Sequence, residues 1–363
     1  MHLNYGGYNE FYQAQKDKKI VCFGAGMMPY YIEDLLEQWG VINNISFFID
    51  NSKKKLGYVW ERRKVPILTI DAFLDKGLQN YIILITCETF EPICGQLEQL
   101  EQFNDIDCFI YAYVNKSYIY TKFVQEPVPD QLEVKIPRTI HYCWFGGQKL
   151  SDLEERCIQS WKEFCPDYEI VRWDENNYDV NKNLYMKQAY KAGKWAFVSD
   201  YARLDILYTY GGIYLDTDVE IIKSIERLLY NEAFIAYGEW PSLNSGAGIG
   251  SVKGNEILKE MRDDPRSTIP FINNHGEYNL ETNSIYESAV LKKYGLKQNF
   301  EIQLVKNFMV YHPVYFAPAS VVGDRAFINE YTYAIHHCHG SWADKKRKID
   351  KKKTLNRLRR DKE

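Results

Sequence analysis

The sequence predicts an α/β protein built from two parallel-sheet units, and three observations carry that prediction. Short apolar runs of strand length alternate with helix-length stretches, glycine-rich turns stand where strands give way to helices, and a proline-bearing segment of low apolar content divides the chain. At about 150 residues per domain, a chain of 363 residues accommodates two domains with some surplus.

The first unit opens with Lys19-Ile20-Val21-Cys22-Phe23, a buried-strand run ending in Gly24-Ala25-Gly26, and a helix follows over residues 30–39. Strands over 45–49 and 81–86 alternate with helical stretches around 70–76 and 92–102, the pattern of a doubly wound sheet. Residues 1–123 therefore form a small Rossmann-like domain. Residues 124–135, with Pro127 and Pro129, read as a linker, residues 136–344 as the second domain and residues 345–363 as a basic tail.

In the second domain, Ile136-Pro137-Arg138-Thr139-Ile140-His141-Tyr142-Cys143-Trp144-Phe145 is a strand running into Gly146-Gly147. A helix over 153–164 and a strand over 168–173 follow, the strand ending in Asp174-Glu175. Ligands of open α/β sheets sit at the carboxyl ends of strands, which makes Trp144, Asp174 and Glu175 expected pocket-wall residues. A helix over 195–210, stopped by Gly211-Gly212, leads through the short strand Ile213-Tyr214-Leu215 into Asp216-Thr217-Asp218.

Composition narrows the function. The hydrophobic (45%) and charged (26%) fractions are those of a globular protein. No apolar run approaches the roughly 18 residues of a spanning helix. The N-terminus lacks a charged region followed by an apolar core, so a cytoplasmic protein is expected. The eight cysteines form no C-x-x-C pair and suit reduced thiols. The tail carries eleven Lys or Arg against three acids, a net of +8, so the overall −4 leaves −12 for the other residues. Such an acidic body argues against general nucleic-acid binding, whereas the basic end suits the anionic inner face of a membrane or a solvated tail.

Asp216 and Asp218 stand two apart, so on a strand they share a face. Converging carboxylates repel unless a cation bridges them, and hard oxygen ligands suit Mg²⁺ or Mn²⁺ with room left for phosphate oxygens. Acidic pairs are also common in solvated turns, and the position after a Gly-Gly stop and a short apolar strand favours the site. Asp200 and Arg203 stand three apart on one helix face, able to hold sugar hydroxyls or phosphate; in isolation they read as a surface ion pair. His336-His337-Cys338-His339 gathers three of the seven histidines, and strand alternation would put His337 and His339 together, one imidazole completing an aspartate-bound metal site. Gly24-Ala25-Gly26 lacks the third glycine of the dinucleotide fingerprint, although Asp50 stands where an acid binds ribose.

Five pieces in one order resemble glycosyltransferase family 32. They are Ile136 to His141 continuing through Trp144-Phe145-Gly146; Ser160-Trp161 with Pro166-Asp167-Tyr168; Ser199-Asp200-Tyr201-Ala202-Arg203; Tyr210 through Asp218; and His336-His337 with Ser341-Trp342. The resemblance implies a GT-A fold in the second domain, a nucleotide-diphosphate sugar donor, a divalent metal and retention at the anomeric carbon. It further implies that Trp144 stacks on the donor base, Asp200 and Arg203 hold the donor sugar, Asp216 contacts ribose or sugar, and Asp218 and His337 bind metal. Ser341 and Trp342 would close over the diphosphate. Where a Thr-Gly-Pro-like element would follow the metal motif, this chain has Glu281-Thr282-Asn283-Ser284.

The expected activity is therefore metal-dependent hexose transfer from a nucleotide sugar, a UDP-sugar by preference, to a glycan or lipid-linked acceptor. Catalysis would rest on Asp200, Arg203, Asp216 and Asp218. The alternatives are a non-catalytic sugar-nucleotide-binding protein and an NAD-linked oxidoreductase working through the first domain.

Overall fold

The computed structural model describes residues 2–4, 6–60, 63–87, 90–121, 133–264, 269–316 and 328–338. His339, Ser341, Trp342, the tail and most of the expected linker lie outside the described residues. Two compact units result, one made of the described residues before position 124 and one of those after it.

In the first unit the strands are β1 (His2–Asn4), β2 (Lys19–Phe23), β3 (Ile45–Ile49), β4 (Gly57–Val59), β5 (Val65–Leu68), β6 (Tyr81–Ile85) and β7 (Asp107–Ile110). Its helices are α1 (Tyr8–Ala14), α2 (Met28–Gln38), α3 (Ile70–Leu74), α4 (Glu91–Glu98) and α5 (Tyr111–Thr121). The sheet order is β1-β7-β6-β2-β3-β5-β4, parallel throughout except for β4 against β5. Continuous apolar runs such as Ile20 to Phe23 and Ile82 to Ile85 are buried, as strands covered on both faces require. The doubly wound expectation holds.

The glycine loop after β2 is closed from within the unit. Asp50 Oδ2 accepts hydrogen bonds from Ala25 N and Lys55 Nζ, each at 2.9 Å, and its Oδ1 accepts from Ser52 N. The carboxylate that stands where an acid binds ribose in dinucleotide sites fastens the loop to the end of β3.

The second unit contains β8 (Thr139–Cys143), β9 (Glu169–Trp173), β10 (Gly212–Tyr214), β11 (Val219–Ile221), β12 (Ala233–Ala236), β13 (Ile249–Ser251), β14 (Gln303–Val305), β15 (Phe308–Tyr311) and β16 (Ala334–His336). Its helices are α6 (Asp152–Phe164), α7 (Leu184–Lys191), α8 (Trp195–Tyr210), α9 (Glu256–Asp263) and α10 (Asn283–Lys293). The sheet runs β14-β15-β12-β13-β10-β8-β9, and β11 and β16 make a separate antiparallel pair. β9, β8 and β10 are parallel, so their carboxyl ends open on one edge, and β13 turns the ladder antiparallel beyond them. Both units are α/β. Among the described residues no helix is long and apolar enough to cross a membrane.

Two devices fix the edge that matters. Ser151 and Glu154 form a capping box that starts α6, and near its other end Trp161 Nε1 donates to Val219 O at 2.7 Å while Ser160 Oγ accepts from Ile221 N at 2.9 Å. Thus α6 grips β11 directly after the Asp-Thr-Asp motif. Helix α8 is buried on every side from Phe197 to Leu207, and it stops at Gly211, whose φ of +73° suits glycine.

His141 in β8 ties these pieces together. Its Nδ1 accepts from Trp173 Nε1 at 3.1 Å, so its Nε2 carries the proton and donates to Gly211 O at 3.0 Å. Burial pushes its pKa down from 6.5 to about 4, against the opposing effect of the Gly211 bond. A group that titrates lower folded than unfolded favours the fold above pH 6.5 and loses that contribution as pH falls towards 4, a linkage of about 3 kcal/mol. In a comparison of melting temperatures between pH 7 and 4, His141→Gln is expected to be less stable at pH 7 and to lose less stability on acidification than wild type. Parallel profiles would refute this role.

Candidate active site

The site forms beyond the carboxyl end of β10. Asp216 and Asp218 do not sit on a strand: β10 ends at Tyr214, and residues 216–219 make a turn in which Val219 N donates to Asp216 O at 3.0 Å. The two carboxylates converge because the turn brings them together, not because strand alternation does. Backbone bonds hold the turn, with Leu215 N to His141 O at 3.1 Å and Asp216 N to Gly246 O at 3.0 Å.

β16 pairs with β11 in a register that sets His336 opposite Val219, and His337 N donates to Asp218 O at 3.0 Å. One ligand atom each from Asp216, Asp218 and His336 lies within 4.8 Å of the others. His337 is not in that group. The strand ends at His336, and the His337 ring meets Glu220, Nε2 to Oε2 at 2.8 Å. The histidine of the candidate metal centre is thus His336, whose Nε2 lies 3.4 Å from Asp218 Oδ1. Burial works against charge on its ring, but the Cys338 thiol and Asp218 outweigh it and hold its pKa well above the usual imidazole range.

Asp200 and Arg203 are no surface pair: they are 9% and 5% exposed. Arg203 Nη2 reaches Asp216 Oδ1 at 3.0 Å and Asp200 Oδ1 at 3.3 Å, while Nη1 donates to Ser245 Oγ at 3.1 Å. The guanidinium lies 4.9 Å from the Tyr214 ring centre, and the Tyr214 hydroxyl donates to Asp216 Oδ1 at 3.0 Å. Burial alone would lower the Arg203 pKa; Asp216, Tyr214, Asp200 and Glu287 raise it well above the normal value. The charge is permanent.

Trp144 stands half-buried just past β8, its indole N–H donating to Gln148 O at 2.6 Å. The other two residues expected in the pocket wall are engaged locally. Asp174 pairs with Arg172 at 3.0 Å and closes its own turn through Asn176, and Glu175 Oε1 accepts from Gly146 N at 2.6 Å.

The sequence reading missed the segment after β12. Asn244 contacts the His336 ring (Nδ2 to Nδ1, 3.3 Å), Ser245 meets Arg203, and Gly246 lies against Asp216. A Cβ on Gly246 would stand 2.2 Å from Asp216 Oδ2. The small-residue run Ser245-Gly246-Ala247-Gly248 was the available signal of this close approach.

Parts of the chain are similar to known proteins. The family described as a glycosyltransferase sugar-binding region containing a DXD motif matches residues 151–235. Inositol phosphoceramide mannosyltransferase 3 of Schizosaccharomyces pombe is 31% identical over 143 residues, covering 36% of this chain and 38% of that protein. Inositol phosphoceramide mannosyltransferase 1 of the same organism is 29% identical over 118 residues, 30% of this chain and 35% of its own. The chain therefore spans under two fifths of the length of these curated relatives. Among solved structures, the PaToxG glycosyltransferase superposes with a TM-score of 0.34 at 17% identity, covering 44% of this chain and 69% of that one. A glycosyltransferase involved in glycosylation of the PBCV-1 major capsid superposes with a TM-score of 0.34 at 13% identity, covering 59% and 98%. Residues 151–235, within the second unit, are similar to the glycosyltransferase sugar-binding region that contains a DXD motif.

Because Asp216 Oδ1 is held by Arg203 and Tyr214, its carboxylate cannot swing aside to admit a methyl group. Gly246→Ala is expected to weaken Mn²⁺ binding by about 10- to 100-fold, the usual effect of disturbing a ligand's support, and to lower the melting temperature, since the loop must shift to admit the methyl group. Unchanged affinity in a calorimetric titration would show that Asp216 does not hold the ion.

Proposed function

We propose that the protein is a metal-dependent, retaining glycosyltransferase moving a hexose from a nucleotide-diphosphate sugar, a UDP-sugar by preference, to a glycan or lipid-linked acceptor in surface polysaccharide synthesis. The observation that carries this reading is the convergence of Asp216, Asp218 and His336 beside the buried Asp200–Arg203 pair, at the edge of a sheet where α/β proteins bind ligands. The names of the mannosyltransferase relatives support an acceptor on a lipid.

Two carboxylates and one imidazole fit Mn²⁺ or Mg²⁺, and Asp216, Asp218 and His336 would hold the ion. Bound there, such a cation supplies positive charge where a leaving diphosphate develops its negative charge. The chain's own groups do the rest. Trp144 offers a stacking face for the base, Asp200 accepts from a sugar hydroxyl, and Arg203 donates to the sugar or phosphate with a charge that does not titrate away. An acceptor hydroxyl attacks the anomeric carbon from the side the diphosphate leaves, the bond to phosphate oxygen breaks, and the hydroxyl proton passes to the departing phosphate. Configuration is retained without a covalent protein intermediate. Ser341 and Trp342 close over the diphosphate in this scheme.

The Asp50 geometry favours this reading over an oxidoreductase, since that carboxylate is already engaged by Ala25 and Lys55. A screen of common nucleotide sugars with Mn²⁺, read by release of the nucleoside diphosphate, is expected to find a donor, and Asp218→Asn should cut turnover at least about 100-fold. Donor binding without turnover across acceptors would establish the non-catalytic alternative, and consumption of no donor would end the transferase reading.

The basic tail is proposed as a membrane contact. Removing residues 345–363 is expected to release the protein from anionic vesicles in a sedimentation assay while sparing transfer to a soluble acceptor. Equal sedimentation of the shortened chain would exclude the tail as the anchor.

A further inference from the structure

Glu287 is a carboxylate with no exposure at all, on the second turn of α10, in a segment to which the sequence reading gave no role. Its oxygens face the site's supporting segment: Oε2 accepts from Ser245 N at 3.4 Å and Oε1 accepts from Asn283 Nδ2. Asn283, one turn earlier, also donates from Nδ2 to Ser245 Oγ at 2.8 Å. Ser288, the next residue, accepts from Leu243 N through its Oγ at 2.9 Å. One face of α10 thus clamps residues 243–245, whose Ser245 hydroxyl receives Arg203 Nη1 at 3.1 Å. Glu287 is also among the charges that hold the Arg203 proton.

We infer that Glu287 is a positioning residue for the transfer reaction: through Asn283 and Ser245 it orients the Arg203 guanidinium on Asp216 and supplies it with a counter-charge away from the ligand. This inference rests on the transferase reading. Asp216 is shared with the candidate cation and Asp200 with the sugar, so a bound donor draws on both of those partners of Arg203. Glu287 has no ligand role in that reading, so its charge stays available to Arg203 at every stage. A neutral glutamine keeps the volume and one acceptor, but it sets an N–H₂ group against either Ser245 N–H or the Asn283 amide.

The experiment compares wild type, Glu287→Gln, Ser245→Ala and the double variant, all as full-length chains. With an active wild type, each single variant is expected to lower kcat/KM for the donor, per folded enzyme, by about 10- to 100-fold, the usual consequence of a misplacement near 1 Å. The double variant should be no worse than the worse single one, because both act through one chain of contacts. A purely structural role predicts lower melting temperatures with unchanged kcat/KM per folded enzyme and losses that add; either result overturns the inference. Should wild type consume no donor, the transferase reading fails by itself. The crystal structure of Glu287→Gln, or of Ser245→Ala if the first does not fold, then decides: a displaced Arg203 guanidinium supports the positioning chain, and an unmoved one refutes it.

Discussion

A buried guanidinium is costly unless carboxylates and hydrogen bonds surround it, and removing one partner of such a pair typically costs about 3–5 kcal/mol. Arg203 imposes that constraint on the second unit. Its two closest carboxylates come from different places, Asp200 one turn back on α8 and Asp216 beyond β10, while Ser245 arrives from the segment after β12. Helix, turn and loop cannot shift independently without stranding the charge. The geometry that a donor would meet is therefore enforced by the same interactions that keep α8 acceptable in the interior.

Position along the chain matters less than what each segment can reach. α6 is some sixty residues ahead of β11, yet Trp161 and Ser160 occupy two of its backbone groups, and β16 arrives from more than a hundred residues later to occupy the other side. Asp218 is held between them. Gly246 is the remaining contact, and its missing side chain lets the loop carbonyl come close enough to bond Asp216 N. The carboxylate pair, repulsive in isolation, is kept together by backbone bonds on three sides.

Strand and helix were legible wherever burial and period coincide. The α8 end follows from its Gly-Gly stop, and β2, β3 and β6 follow from apolar runs. Edge strands such as β4, three residues long with Tyr58 exposed, carry no such run. The metal motif was legible as residue types, but the reason for its convergence was not, because an i,i+2 spacing fits a strand and a turn equally well. The resemblance implies His337 as the metal ligand, whereas the pairing of β16 with β11 sets His336 towards Asp218; where a ladder stops depends on its partner, and no local spacing records that. Asn244, Ser245 and Glu287 act across separations of forty residues or more, which periodicity cannot encode.

The charges also set an order for loading. Asp200, Asp216 and Glu287 act on the Arg203 guanidinium and Asp218 pairs with His336, so four carboxylates face two positive charges and the site is electronegative where the proposed diphosphate would lie. A doubly charged anion approaching two carboxylates a few ångströms apart meets repulsion that the Arg203 and His336 charges offset only in part. A cation is attracted by the same groups. On the transferase reading, cation binding therefore precedes or accompanies the donor, and the site's carboxylates act as a gate that admits the diphosphate only in its neutralised form.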